Sequence, residues 1–192
     1  MIMAKLEKGL VEIYTGSGKG KTTAAMGLGL RAAKVGLKVS MFQFLKKKGT
    51  SYENNLSIPN FKMVCLDEVH PMFLGSMGQG LRLRQSFGGQ AGARIELKKK
   101  ILKDLRKVKA AMKSGRYDVI ILDEIINCVR QKFLDERVVL SLIKARPKQT
   151  ELVLTGRGAS RRLIAAADYV TRLDKIKHPF DKGILARRGI EY

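Results

Sequence analysis

The chain has 192 residues, 45% of them hydrophobic, enough for one domain to bury most of the apolar surface that its unfolded form exposes. Its 38 Lys plus Arg against 17 Asp plus Glu leave a formal charge of +21, which attracts anions; low aromatic content, no tryptophan and no zinc-finger or RNA-binding signature argue against nucleic acid as the partner. The two cysteines, Cys65 and Cys128, lie in apolar runs without metal-ligand spacing, and no leader or membrane-length apolar run is present, so a reduced, cytoplasmic protein with no membrane partner is expected.

Residues 10–14 form a short apolar strand that runs into a glycine-rich loop, and the Ala/Leu-rich segment 22–34 reads as a helix closed by Gly36. The next strand is 37–45, the lysine run Lys46, Lys47, Lys48 with Gly49 marks a surface loop, and 61–66 is a third strand. Periodicity fades over 67–92 among glycines, methionines and a proline, which predicts a long mobile loop. A long basic helix over 93–113 ends near Gly115 and feeds an apolar strand at 117–122. A helix over 134–145 stops before Pro147, strand 151–154, helix 160–167 and strand 169–173 follow, and 175–192 is a glycine-punctuated tail. Strands that alternate with helices, and are apolar enough to be covered on both faces, predict a single α/β domain over 1–192: three layers, a mostly parallel sheet with helices on both faces.

The first strand-to-helix turn reads Thr15-Gly16-Ser17-Gly18-Lys19-Gly20-Lys21-Thr22-Thr23, ending in the Gly-Lys-Thr of a phosphate-binding loop. Its glycines let successive N–H groups converge on an anion, the helix start adds partial positive charge, Lys19 and Lys21 supply cations, and the Thr22 hydroxyl can ligate magnesium. Gly16 through Thr23 are therefore the candidate contacts to the phosphates of ATP, although the usual spacing asks for glycine where Thr15 stands. Asp123-Glu124 closes the strand at 117–122, and a carboxylate at that edge of a parallel sheet lies beside such a loop and completes a magnesium shell. Taken alone, this pair reads as an ATPase in which the aspartate holds the metal and the glutamate polarises water. Leu154-Thr155-Gly156-Arg157-Gly158 is again strand, turn and helix, and aims Arg157 at the edge where phosphate or ribose lies; a structural arginine reads equally well.

Together these segments resemble the ATP:corrinoid adenosyltransferases of the P-loop type. The resemblance rests on residues 14–25, on Gln43-Phe44 with the later Glu53 and Leu56, on Leu122-Asp123-Glu124, Ala145-Arg146-Pro147 and Thr155 to Gly158, and on Lys177-His178-Pro179-Phe180 with Gly189-Ile190-Glu191-Tyr192. It spans nearly the whole chain, and the loop spacing that departs from the usual pattern is the one the family shows. It implies a P-loop NTPase fold of RecA-like architecture. It also implies that cobalt(I) of a reduced corrinoid attacks the 5′ carbon of ATP and that intact triphosphate leaves. The implied catalytic groups are Lys19, Lys21 and Glu124, with Thr22 and Glu124 holding magnesium and Asp123 helping. A homodimer and a reductase that supplies cobalt(I) are implied partners. The family's corrinoid side often uses a segment with phenylalanine and tryptophan; without tryptophan, Phe73, Phe87 and His70 are the candidates in 67–92. Plain ATP hydrolysis at Asp123 and Glu124, with or without a nucleic-acid partner drawn by the +21 charge, is the alternative.

Overall fold

The computed structural model describes residues 6–48, 57–68, 90–187 and 189–190. Six strands, β1 (Val11–Thr15), β2 (Val39–Gln43), β3 (Phe61–Cys65), β4 (Val119–Asp123), β5 (Glu151–Thr155) and β6 (Tyr169–Arg172), form one sheet in the order β3-β2-β4-β5-β1-β6, every pair parallel. The helices are α1 (Lys21–Lys34), α2 (Gln90–Lys113), α3 (Ile125–Arg130), α4 (Glu136–Ala145) and α5 (Arg161–Ala165), and the tail carries a 3₁₀ turn, Pro179–Lys182.

The two-residue period of the strands sorts their side chains between two cores. Val39, Met41, Val119, Ile121 and Val153 pack on one face with Ala25 and Ala33 of α1. Phe42, Ile120, Leu122, Leu152 and Leu154 pack on the other with Leu97, Ile101 and Leu105 of α2 and with residues of α3, α4 and α5. Each such aliphatic side chain contributes about 1.5–3 kcal/mol by leaving water. The sheet is thus covered on both faces, which is why β2 and β4 are buried at all five positions, whereas β6 is an exposed edge. α1 lies especially close: a methyl on Gly29 would stand 3.0 Å from the Ile121 side chain and 3.1 Å from the Phe61 ring.

Capping fixes the later helices. The Asp135 side chain accepts from the Arg137 amide at the start of α4, and the Ser160 hydroxyl accepts from the Leu163 amide at the start of α5. α1 begins instead at Gly20, with φ 110°, and no side chain caps its first amides.

Two expectations need correction. The segment read as a loop over 67–92 already has helical residues at 90–92, because Gly92 sits inside the first turn of α2 and one glycine weakens a 24-residue helix by only about 1 kcal/mol; positions 69–89, with His70, Phe73 and Phe87, lie outside the described residues. Between β4 and α4 an unexpected helix, α3, forms. Glu124 takes φ 67° and its carbonyl accepts from the Asn127 and Cys128 amides, and six residues are too few for the helical period to show.

Candidate nucleotide-binding site

The parallel arrangement brings the ends of β1, β4 and β5 to one edge, with β5 between the other two. The loop after β1 packs against the chain leaving β6. The Gly18 amide donates to the Leu173 carbonyl at 2.7 Å, the Leu173 amide to the Thr15 carbonyl at 2.9 Å, and the Lys175 amide to the Ser17 hydroxyl at 3.3 Å. Side chains at 16 and 18 have no room: a Cβ on Gly16, which has φ 104°, would meet the Leu173 oxygen at 2.3 Å, and one on Gly18 the Asp174 oxygen at 2.7 Å. Thr15, standing where the usual pattern has glycine, uses its hydroxyl to accept from the Ala159 amide at 3.2 Å.

Lys21 is 8% exposed, and its ammonium donates to the Gly18 carbonyl at 2.6 Å, folded back over the loop. Burial, and then the nearby Arg157 charge, hold its pKa below the usual lysine value. Next to it, the Thr22 hydroxyl donates to Asp123 Oδ1 at 2.9 Å, and the Thr155 hydroxyl donates to the same oxygen at 2.7 Å. Asp123 is fully buried, and its Oδ2 lacks a hydrogen bond but faces the Lys46 ammonium at 3.4 Å. The Thr155 oxygen also accepts from the Glu124 amide at 2.9 Å, so one hydroxyl ties the end of β5 to both acidic residues.

The Glu124 side chain is held by the Asn127 amide group, whose Oδ1 in turn accepts from the Arg157 amide at 2.8 Å. Burial, and then the neighbouring Asp123 charge, raise the Glu124 pKa above the usual carboxylate value. Gly156 permits this approach: with φ 142°, a Cβ there would stand 2.7 Å from the Asn127 nitrogen.

Residues 7–192 match the sequence model of the family described as ATP:corrinoid adenosyltransferase BtuR/CobO/CobP. The chain belongs to this family. It is 34% identical to the corrinoid adenosyltransferase of a Sinorhizobium species over 97% of its own length and 81% of that protein. It is 33% identical to corrinoid adenosyltransferase CobA of Salmonella typhimurium over 98% of its length and 88% of that protein. Among solved structures, a KaiC-like protein of Pyrococcus horikoshii is 19% identical, with 87% of this chain and 72% of that one covered and a TM-score of 0.49.

For this family member, the structure brings Lys21, Thr22, Asp123 and Glu124 to one edge and ties the Arg157 backbone to them through Asn127. Ser17 and Lys19 are exposed on the loop and Thr23 in the first turn of α1, and His178 accepts from the Phe180 amide at 3.2 Å as a turn cap. Three contributors carry no signal that sequence reading used. Lys46, expected in a surface loop, has a side chain only 23% exposed and faces Asp123. Thr155 sits in a quoted motif without a role, and Asn127 lies in the unexpected α3. Among the described residues no group of three or more His, Cys, Asp or Glu gathers to hold a metal. The oxygens available are few and hard: the Thr22 hydroxyl and the two adjacent carboxylates, one with an orphan buried atom. That set suits magnesium, which keeps waters and phosphate oxygens beside one or two protein ligands.

Proposed function

We propose that this chain transfers the 5′-deoxyadenosyl group of ATP to the cobalt(I) of a reduced corrinoid and releases triphosphate. Beside family membership, one observation carries the reading against hydrolysis: Glu124 is clamped by Asn127, which is itself fixed on the Arg157 backbone. A glutamate tied in this way is a positioned ligand with one oxygen to offer. It is poorly placed to swing onto an attacking water, as ATP hydrolysis at Asp123 and Glu124 requires.

In the transfer, the cobalt(I) electron pair forms a bond to C5′, the C5′–O5′ bond breaks, and triphosphate leaves with the two electrons of the broken bond. The chain's task is to bind the triphosphate and accept its growing charge. Gly16, Ser17, Gly18, Lys19, Gly20, Lys21, Thr22 and Thr23 form the cradle, Lys21 exchanges its Gly18 carbonyl for phosphate oxygens, and Lys19 adds a second cation from the exposed side of the loop. Because Thr22 spends its proton on Asp123, its lone pairs are free for a metal, and Glu124 offers the oxygen that Asn127 does not hold. Magnesium bound by Thr22 and Glu124 would supply Lewis-acid neutralisation of the leaving group. Asp123 acts by positioning Thr22, and Arg157 is placed to meet phosphate or ribose.

All these parts hang on one parallel sheet, which supports one nucleotide-binding domain over 1–192. A homodimer fed with cobalt(I) by a reductase extends the same reading. So does cytoplasmic residence, where the free thiols of Cys65 and Cys128 stay reduced; no described helix is long and apolar enough to cross a membrane. Incubation with ATP, magnesium and a chemically reduced corrinoid, followed by absorbance, tests the proposal: cobalt–carbon bond formation that requires all three is expected. ATP consumption with no change at cobalt would overturn it.

A further inference from the structure

A groove of about 380 Å³ opens on the α2 face of the sheet, at the edge formed by β2 and β3. Register explains its walls. Ser40 pairs with Lys62 and Phe42 with Val64, so these four side chains share one face, and the C-terminal half of α2 runs over them with Lys107 and Ala110, followed by Ser114 just past its end. Arg116, in the turn that leads to β4, closes one end. Ser40 and Lys62 are the second residues of their strands, near the amino ends, whereas Asp123 and the phosphate-binding loop sit at the carboxyl ends of β4 and β1, and β4 and β5 lie between β2 and that loop. The groove is therefore separate from the nucleotide site.

Three features of this groove point to a ligand. The Ser40 hydroxyl on its wall is fully buried and has no hydrogen-bond partner, an arrangement that folded chains avoid unless something else meets the group. The floor of Phe42, Val64 and Ala110 is apolar. The rim is cationic: Lys107 is neutralised by Asp104 at 2.6 Å, but Lys62 and Arg116 have no ion-pair partner among the described residues. An apolar floor, a few convergent polar groups and a volume near the lower end of the usual 300–1,000 Å³ describe a small-molecule site.

We infer that this groove binds a small organic anion, with its apolar body on Phe42 and Val64, its anionic group between Lys62 and Arg116, and a polar atom on the Ser40 hydroxyl. The probe is phenyl phosphate, titrated into the isotope-labelled full chain and followed by amide chemical shifts. Saturable shifts are expected at Ser40, Val64, Ser114 and Arg116, and inorganic phosphate or phenol alone should bind at least about fivefold more weakly because each lacks half the contacts. The double variant Lys62→Ala/Arg116→Ala should weaken phenyl phosphate about tenfold or more through loss of both cations, while ATP-induced shifts over Gly16 to Thr23 stay as in the parent and show an intact fold. Ser40→Ala should weaken binding further. No saturable shift at the groove amides would overturn the inference, as would a double variant that binds like the parent or phosphate that binds as well as its phenyl ester. None of these readouts depends on adenosyl transfer.

Discussion

Asp123 accepts two hydroxyl protons on one oxygen, from Thr22 at 2.9 Å and Thr155 at 2.7 Å, and turns the other toward Lys46 at 3.4 Å. In the proposed function Asp123 is therefore the orienting carboxylate and Glu124 the metal ligand. Glu124→Gln keeps the shape and removes a charge whose burial is unfavourable, so the variant should be at least as stable as the parent. Its turnover at limiting magnesium should fall by about tenfold or more. Unchanged turnover in a magnesium titration would remove Glu124 from the metal shell. Glu68 makes a second residue-scale case. It is fully buried and accepts from the Leu45 amide at 2.8 Å, yet its other oxygen has no partner. Burial first, then Asp104 of α2, raise its pKa to about 7, against the opposing pull of the Leu45 amide, Lys100 and Lys107. The folded state therefore holds the proton more tightly than the unfolded chain. Stability is lost as pH rises from the ordinary carboxylate value toward 7 and stays lower above it. Glu68→Gln removes this penalty, so denaturant unfolding should show a gain of roughly 2–3 kcal/mol over the parent at pH 8 that shrinks to near zero at about pH 4.5. A gain that does not vary with pH would contradict the assignment.

The elements that were legible from sequence are those whose signal is local. β1, β3 and β5 follow from apolar runs bounded by glycine or charge, and α1 from its Ala/Leu content, all within a residue or two of their observed bounds. The phosphate-binding loop was legible because its chemistry is written in consecutive residues. Lys46, Thr155 and Asn127 were not, since their roles depend on β5 lying between β1 and β4 and on the turn at Glu124, neither of which leaves a pattern in the chain. Glycines test the element-level account, because apparently similar positions should respond in opposite ways. Gly27 lies in α1 with open space around its Cβ position, so Gly27→Ala should stabilise by about 0.5–1 kcal/mol. Gly156, at φ 142° and with room so short that an added Cβ would stand 2.7 Å from the Asn127 backbone nitrogen, joins the end of β5 to the clamp on Glu124, so Gly156→Ala should destabilise by about 2 kcal/mol or more and lower ATP affinity. Thermal unfolding of the two variants side by side checks this, and equal effects would refute it.

At the scale of the whole molecule, the +21 charge gives the chain a field that attracts a triphosphate. The same field would assist any anionic substrate, so it cannot by itself separate adenosyl transfer from hydrolysis. The fate of the phosphate chain does. In transfer the C5′–O5′ bond breaks and all three phosphates leave joined together; in hydrolysis a phosphorus–oxygen bond breaks and the adenosine keeps its 5′ oxygen. The most direct measurement is ³¹P NMR of the products after incubation with ATP, magnesium and chemically reduced corrinoid. Adenosyl transfer gives intact triphosphate in step with the adenosylated corrinoid and none when the corrinoid is omitted; ADP and inorganic phosphate, formed with or without corrinoid, would mean hydrolysis instead.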